Sequence, residues 1–373
     1  MAGGVTLVLM VGGEARSPVE RAVRRAREAA ACDLLEALLE AGCVARAVVA
    51  TDDPRWTASL THLPVEVDLD RPGEPFHFGR RLAGLVRRYR LNGVLYAGGG
   101  AAPLMSPSAW RRALADFAAG RVAVVTNNLH SSDWVAFRAT EEWLSLVSAQ
   151  ERDNGLAWAL AHEAGLPTRA LPPSAATRFD LDTPADLLIA RAHPNTPSRL
   201  REVLRALDWP GDALEGVLAA MEREGGLLAV IGRSSSAAWT ALERATRCWV
   251  RMYVEERGMV ASGRLRRGEV RSLLAEYLEQ VGLEGFFSTL GDLADAVLMD
   301  NRVILAARGR WPSRADRFAA DLFRWQEVAD PFLRAFARAA AAAEIPVLMG
   351  GQSVVSGGLL ALVEILTSRR EGW

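Results

Sequence analysis

Short apolar runs alternate with stretches of helical period through the first half of the chain. Val5–Val11, Ala45–Ala50, Gly93–Tyr96 and Val122–Thr126 read as strands, and Val19–Ala41, Gly79–Arg88 and Pro107–Ala119 between them read as helices. That alternation predicts βα units and a three-layer, mainly parallel, Rossmann-like α/β sheet. Two helix starts carry their own signals. Ser106-Pro107 is an N-cap followed by proline at the first helical position, and Thr183-Pro184-Ala185-Asp186 sets an acidic residue three after its cap. The stretch His193-Pro194-Asn195-Thr196-Pro197 breaks helix and strand alike, so one domain is expected over 1–193 and a second over 194–373. In the second, residues 198–224, 234–257, 267–282, 285–308, 313–344 and 355–369 read as helices, which predicts an all-α helical domain.

Composition narrows the chemistry. The 373 residues contain no lysine, so all 44 basic residues are arginine, against 45 acidic ones. A GC-rich coding bias accounts for such a gap, but the chemical constraint holds whatever its origin. A lysine Schiff base, a lysine nucleophile and a G-x-x-x-x-G-K-[ST] phosphate loop are all excluded. The formal net charge of −1, with arginines interleaved among acids, gives no field for nucleic acid. No uncharged stretch approaches the roughly 20 apolar residues that span a bilayer, and Val5–Val11 lacks a basic leader, so a cytoplasmic protein with no membrane partner is expected. Cys32, Cys43 and Cys248 have no C-x-x-C spacing, and the five histidines have no H-x-x-x-H spacing, which excludes a disulfide framework and a zinc site of the usual kinds. No G-x-S-x-G elbow occurs.

Four constellations carry candidate chemistry. After Val5–Val11, Gly12-Gly13 and the arginine-rich helix place backbone N–H groups and Arg16 where a phosphate can be met. Gly98-Gly99-Gly100 at the end of another strand allows a ligand close to the backbone, or makes a tight strand exit. Asn127, Asn128 and Ser132 form a polar cluster suited either to a base or sugar edge or to local turns. Asp180 and Asp182, two apart at a strand end, share a side and suit a hard divalent cation, whereas Asp186 is placed to cap its helix.

Together the strand-Gly-Gly opening, the loop before Pro103-Leu104, the Asn-Asn and Ser-Ser-Asp cluster, Arg152-Asp153-Asn154-Gly155 and Asp180-Leu181-Asp182-Thr183-Pro184-Ala185-Asp186 resemble the nucleotidyltransferases of the glycosyltransferase-A-like fold over residues 5–192. The similarity is to the molybdenum-cofactor guanylyltransferase and 2-phospho-lactate guanylyltransferase type. It implies transfer of a nucleotidyl group from an NTP to a small phosphorylated or hydroxylated acceptor, with Mg²⁺ as cofactor. Gly12, Gly13 and Arg16 would cradle phosphates, the 98–104 loop would face the nucleotide, and Asp180 and Asp182 would be the catalytic metal carboxylates. Two departures point to a degenerate site. The residues after the glycines are Glu14-Ala15-Arg16-Ser17, without the usual lysine, and Gly98-Gly99-Gly100-Ala101-Ala102-Pro103 lacks the usual aspartate. The alternative is therefore a nucleotide- or phosphate-binding or scaffolding protein that kept the fold.

In the second half, Gly350-Gly351-Gln352-Ser353-Val354-Val355-Ser356-Gly357-Gly358 offers either an anion nest or a close helix crossing that needs small residues. Asp300 and Asn301 follow the apolar run Ala296–Met299 and are placed to point inward. With Gly350, Gly351, Ser353, Ser356 and Gly357 they form a second candidate site, which leaves open an activity centred on the helical domain. Arg317 and Asp321 stand four apart, the spacing of a surface ion pair. The helical half is expected to supply acceptor binding, a lid or an oligomer contact.

Overall fold

A computed structural model describes residues 4–71 and 73–371 and divides into two compact units. The first comprises Met1–Glu14, Arg24–Thr177 and Pro197–Leu200. It holds seven strands: β1 (Val5–Val11), β2 (Arg46–Thr51), β3 (Val65–Leu69), β4 (Gly93–Gly98), β5 (Val124–Thr126), β6 (Trp134–Arg138) and β7 (Thr168–Ala170). They form one sheet in the order β3-β2-β1-β4-β6-β5-β7, in which only β6 runs antiparallel to its neighbours. Alternate residues feed opposite faces, as a pleated strand requires. Leu7, Leu9, Val49 and Leu95 pack with Leu35 and Leu38 of helix Pro18–Glu40 and with Trp110 and Phe117 of helix Pro107–Ala118. Val8, Val48 and Val94 pack on the other side with Leu82 and Val86 of helix Phe78–Tyr89. The expected three-layer, mainly parallel sheet is present.

The second unit comprises Ala15–Val23, Arg178–Thr196 and Arg201–Trp373. It is rich in helix, including Asp212–Glu222, Leu273–Leu293, Pro331–Ala341 and Gly357–Glu371. It also contains a second sheet, which corrects the expectation of an all-α domain. Strands β8 (Leu227–Gly232), β9 (Trp249–Val254), β10 (Ala296–Asp300) and β11 (Val347–Gly350) are all parallel, in the order β11-β10-β8-β9. The runs LLAVIG and AVLMD of the two inner strands, and VLMG of the edge strand β11, are buried almost throughout. A parallel strand covered on both faces has no polar alternation, so its pattern cannot be told from a buried helix. Ile231, Val297 and Met349 meet Phe286, Leu333 and Phe336 in one aromatic-rich core. The expected helix over 285–308 is instead the end of Leu273–Leu293, then β10, then the short helix Arg302–Ala307.

Chain order reverses beside β8, because β9 lies on one side of it and β10 on the other. The C-terminal ends of β8 and β10 therefore flank the switch point where open α/β sheets place their crevice. Among the described residues no helix is long and apolar enough to cross a membrane.

The turn after β8 depends on one glycine. Gly232 has φ +116°, and a Cβ there would come within 2.6 Å of the Asp300 Cβ and 3.0 Å of the Asp300 carbonyl oxygen. Gly232→Ala is expected to destabilise the second unit by about 2 kcal/mol or more, read by urea unfolding, since both backbone strain and overpacking oppose it.

Candidate functional site

In the first unit, β1 delivers Gly12 and Gly13 beside the end of β2, where Asp52 follows Thr51. The Gly13 N–H donates to Asp52 Oδ2 at 3.2 Å, with Gly13 at φ +108°. Arg24 Nη2 donates to Asp52 Oδ1 at 2.8 Å while its Nη1 donates to the Gly13 carbonyl at 3.1 Å. The same guanidinium reaches Glu28 at 2.9 Å and Asp53 at 3.2 Å. An amide and a guanidinium thus converge on one oxyanion, and that oxyanion is a side-chain carboxylate of the chain itself. Asp52 and Arg24 were not singled out in the sequence. An Asp-Asp pair directly after a strand is the signal that could have found them.

The other expected residues of this unit are committed to their own loops. Gly98 and Gly99 donate to the carbonyls of Asp133 and Met10, and a Cβ on Gly99 would sit 3.0 Å from the Val11 methyls. Gly100 is buried in the same turn, so the strand-exit role is the one the geometry expresses. Asn127 Oδ1 accepts from the amides of Asp133 and Trp134, and its Nδ2 donates to Asp133 Oδ2 at 2.6 Å. Asn128 Oδ1 accepts from the His130 amide, and Ser132 Oγ donates to the Asp153 carbonyl at 2.9 Å. Asp153 Oδ2 in turn accepts from the buried Tyr96 hydroxyl at 2.8 Å. Burial, then Asp153, raises the Tyr96 pKa, so it stays a phenol.

Arg16, Asp180 and Asp182 all belong to the second unit. The Arg16 and Ser17 amides donate to Glu20 Oε2, the capping box of helix Pro18–Glu40, and Arg314 Nε donates to Glu20 Oε1 at 2.8 Å. Asp180 is half-buried, Asp182 exposed and Asp186 fully buried. Asp186 Oδ2 accepts from the amides of Asp182 and Thr183, at 3.0 and 2.7 Å, and from the Thr183 hydroxyl at 2.9 Å. It is the cap that the sequence suggests. Its Oδ1 has no hydrogen-bond partner, and neither does the buried Ser353 Oγ, which lies near enough to offset part of the carboxyl's shift without bonding to it. Burial first, then the Asp182 charge, pushes the Asp186 pKa up to about 7.

Mg²⁺ takes one or two protein carboxylates and fills its other positions with water and substrate phosphates, whereas a dedicated protein site gathers more ligands. Among the described residues no three His, Cys, Asp or Glu side chains are grouped to hold a metal ion.

The second unit instead gathers charge at the C-terminal edge of its sheet. Arg233, after β8, clasps the fully buried Asp300 of β10 through Nε and Nη2, at 2.5 and 3.1 Å. Arg302 grips Asp321 through Nη1 and Nη2, both at 2.6 Å, and reaches Asn301 Oδ1 at 2.5 Å. This overturns the expected Arg317–Asp321 surface pair, because both Asp321 oxygens are taken by Arg302 in the interior. Asp300 and Asn301 do point inward. Gly350 and Gly351 press against Thr183 and Ala185, and a Cβ on Gly357 would lie 2.0 Å from the Arg178 carbonyl oxygen, so these glycines serve close packing. Ser356 Oγ donates to the Gln352 carbonyl at 2.8 Å.

No family model matches the chain, and no curated protein matches it. Solved structures overlap part of it. CMP:2-keto-3-deoxy-manno-octonic acid synthetase complexed with CTP is 15% identical, with 45% of this chain and 89% of that one covered at a TM-score of 0.32. A nucleotidyl transferase from Methanothermobacter thermautotroptrophicus is 17% identical, covering 55% and 100% at 0.38. The Rv0371C protein of Mycobacterium tuberculosis H37Rv, in complex with manganese, is 17% identical, covering 55% and 100% at 0.33. Likeness this slight assigns neither substrate nor activity.

Two measurements probe the buried charges. Asp186 binds its proton more tightly folded than unfolded, so the native state loses stability as pH rises from the ordinary 3.8 toward about 7. Asp186→Asn removes that loss, so its stability relative to wild type should climb between pH 4 and pH 7; parallel denaturation profiles would refute it. Arg302→Met strands the Asp321 carboxylate and is expected to cost about 3–5 kcal/mol, most of it recovered on adding Asp321→Leu.

Proposed function

We propose that this chain is a nucleotidyltransferase-like α/β protein that binds a nucleotide or another phosphorylated small molecule without metal-dependent transfer. One observation carries this: the Gly13 amide and Arg24 guanidinium already hold an oxyanion, the Asp52 carboxylate, at the end of β1. A phosphate oxygen asks for the same donors. Asp52 is 38% exposed, so an incoming phosphate has a path to replace it. The lack of lysine and of an acid in the Gly98–Pro103 loop weighs against stabilising the transferred phosphoryl group, which is the main task of a transferase. The helix-rich second unit, on this reading, contributes ligand contacts or an oligomer contact.

Titration of the full chain with each of the four NTPs, with and without Mg²⁺ or Mn²⁺, tests the proposal through thermal stability and pyrophosphate release. Stabilisation without added metal and without pyrophosphate is expected. Asp52→Asn should tighten binding roughly tenfold or more, because like charge against like charge costs above ~1.4 kcal/mol, and Arg24→Gln should weaken it. Pyrophosphate release that requires metal and an acceptor would establish transfer instead, and no response to any NTP would remove both readings.

A further inference from the structure

Arg317 lies on helix Arg314–Asp321 of the second unit with its guanidinium 4.7 Å over the Trp311 ring. It is half-buried, and its one hydrogen bond runs from Nη1 to the Pro312 carbonyl at 2.6 Å. Every carboxylate around it is committed elsewhere. Both Asp321 oxygens are held by Arg302 at 2.6 Å. Asp316 accepts from the amides of Ala329 and Asp330 at 2.8 and 3.2 Å. Glu20 is held by the Arg16 and Ser17 amides and by Arg314. Two further guanidiniums, Arg302 and Arg314, act on Arg317 with like charge. Burial first, and Arg302 next, push its pKa down to about 10, and the charges of Asp321 and Asp316 oppose that only in part, so it stays charged at neutral pH without a carboxylate bonded to it.

A cation kept partly out of water without a carboxylate is either a defect or a receptor. Its placement favours a receptor. Nε and Nη2 remain unused, Trp311 beside them is 45% exposed, and Arg314 is 42% exposed on the same helix. The planar fork of arginine matches the oxygens of a phosphate, and a second guanidinium within electrostatic range, that of Arg314, favours a dianion over a single carboxylate. We propose that Arg317, with Arg314 beside it and Trp311 as its stacking platform, forms an oxyanion site for the phosphate group of a small phosphorylated molecule. The site draws on nothing at the Gly13–Asp52 corner, and its test is separable from that one.

The experiment titrates the full chain with inorganic phosphate at constant ionic strength set by chloride, with acetate as the carboxylate arm. Thermal stability and calorimetric affinity are the readouts. Phosphate should stabilise the wild type above chloride and acetate, and Arg317→Gln should weaken it at least tenfold. Arg317→Lys, which keeps the charge but not the fork, should fall between, and the loss caused by Arg317→Gln should persist in an Arg24→Gln background, where the Gly13 corner is disabled. In phosphate-free buffer Arg317→Gln is expected to melt no lower than wild type, because it relieves repulsion from Arg302; this melt also verifies that the variant folds. Equal phosphate affinity in wild type and Arg317→Gln, or stabilisation no greater than that from chloride, would overturn the proposal.

Discussion

The interaction on which the second unit turns is the grip of Arg302 on Asp321, two parallel hydrogen bonds closed off from water. Removing two charges from water costs several kcal/mol per ion, and only near-ideal geometry with the remaining lone pairs filled offsets that. The geometry explains much around it. Arg302 starts the helix that follows β10, its amide donates back to Asp300, and Asp321 ends helix Arg314–Asp321. The pair therefore fixes how that helix lies at the end of the strand. It also takes both oxygens of the acid beside Arg317, so that guanidinium reaches the surface corner without a carboxylate bonded to it.

The first unit was largely legible in the sequence because its signals are local. Strands β1, β2, β4 and β5 stand as apolar runs between helical stretches, and the Ser106 cap is spelled out within four residues. The second sheet was hidden for a specific reason. Its inner strands are apolar on both faces, and residues such as Val297 and Met299 look the same in a buried helix as in a buried strand. Candidate chemistry followed the same divide. Asp186 was identified as a cap from spacing alone, whereas Asp52 was missed because it meets Gly13 across 39 residues. Arg317 and Asp321 were paired by a rule for exposed helices, and burial reassigned the acid.

The absence of lysine takes on structural meaning in this setting. A guanidinium offers five donors in a fixed fork and holds its proton at any physiological pH, so it can be buried where an ammonium would give up its charge. Arg233 on Asp300 and Arg302 on Asp321 both use that fork in full. Exchange of Arg302 for lysine would leave one Asp321 oxygen unmet. At the surface the same property makes arginine a fixed positive charge that no neutral-pH proton transfer can relieve, which suits anion capture and excludes acid–base work.

The helix Pro184–Ala192 has a consequence in time. It buries Pro184 through Ala190 against β11 and helix Gly357–Glu371, elements encoded far downstream. Its partners emerge about 160 residues later, so at ~5–20 residues/s a nascent chain carries that apolar face uncovered for on the order of ten seconds or more. The parallel pairing of β8 with β10, and of β10 with β11, imposes a shorter wait of the same kind on the sheet itself. During synthesis, then, the chain holds one unit complete while the seam of the other stands open, and the last strand closes both the sheet and the helix that has been waiting for it.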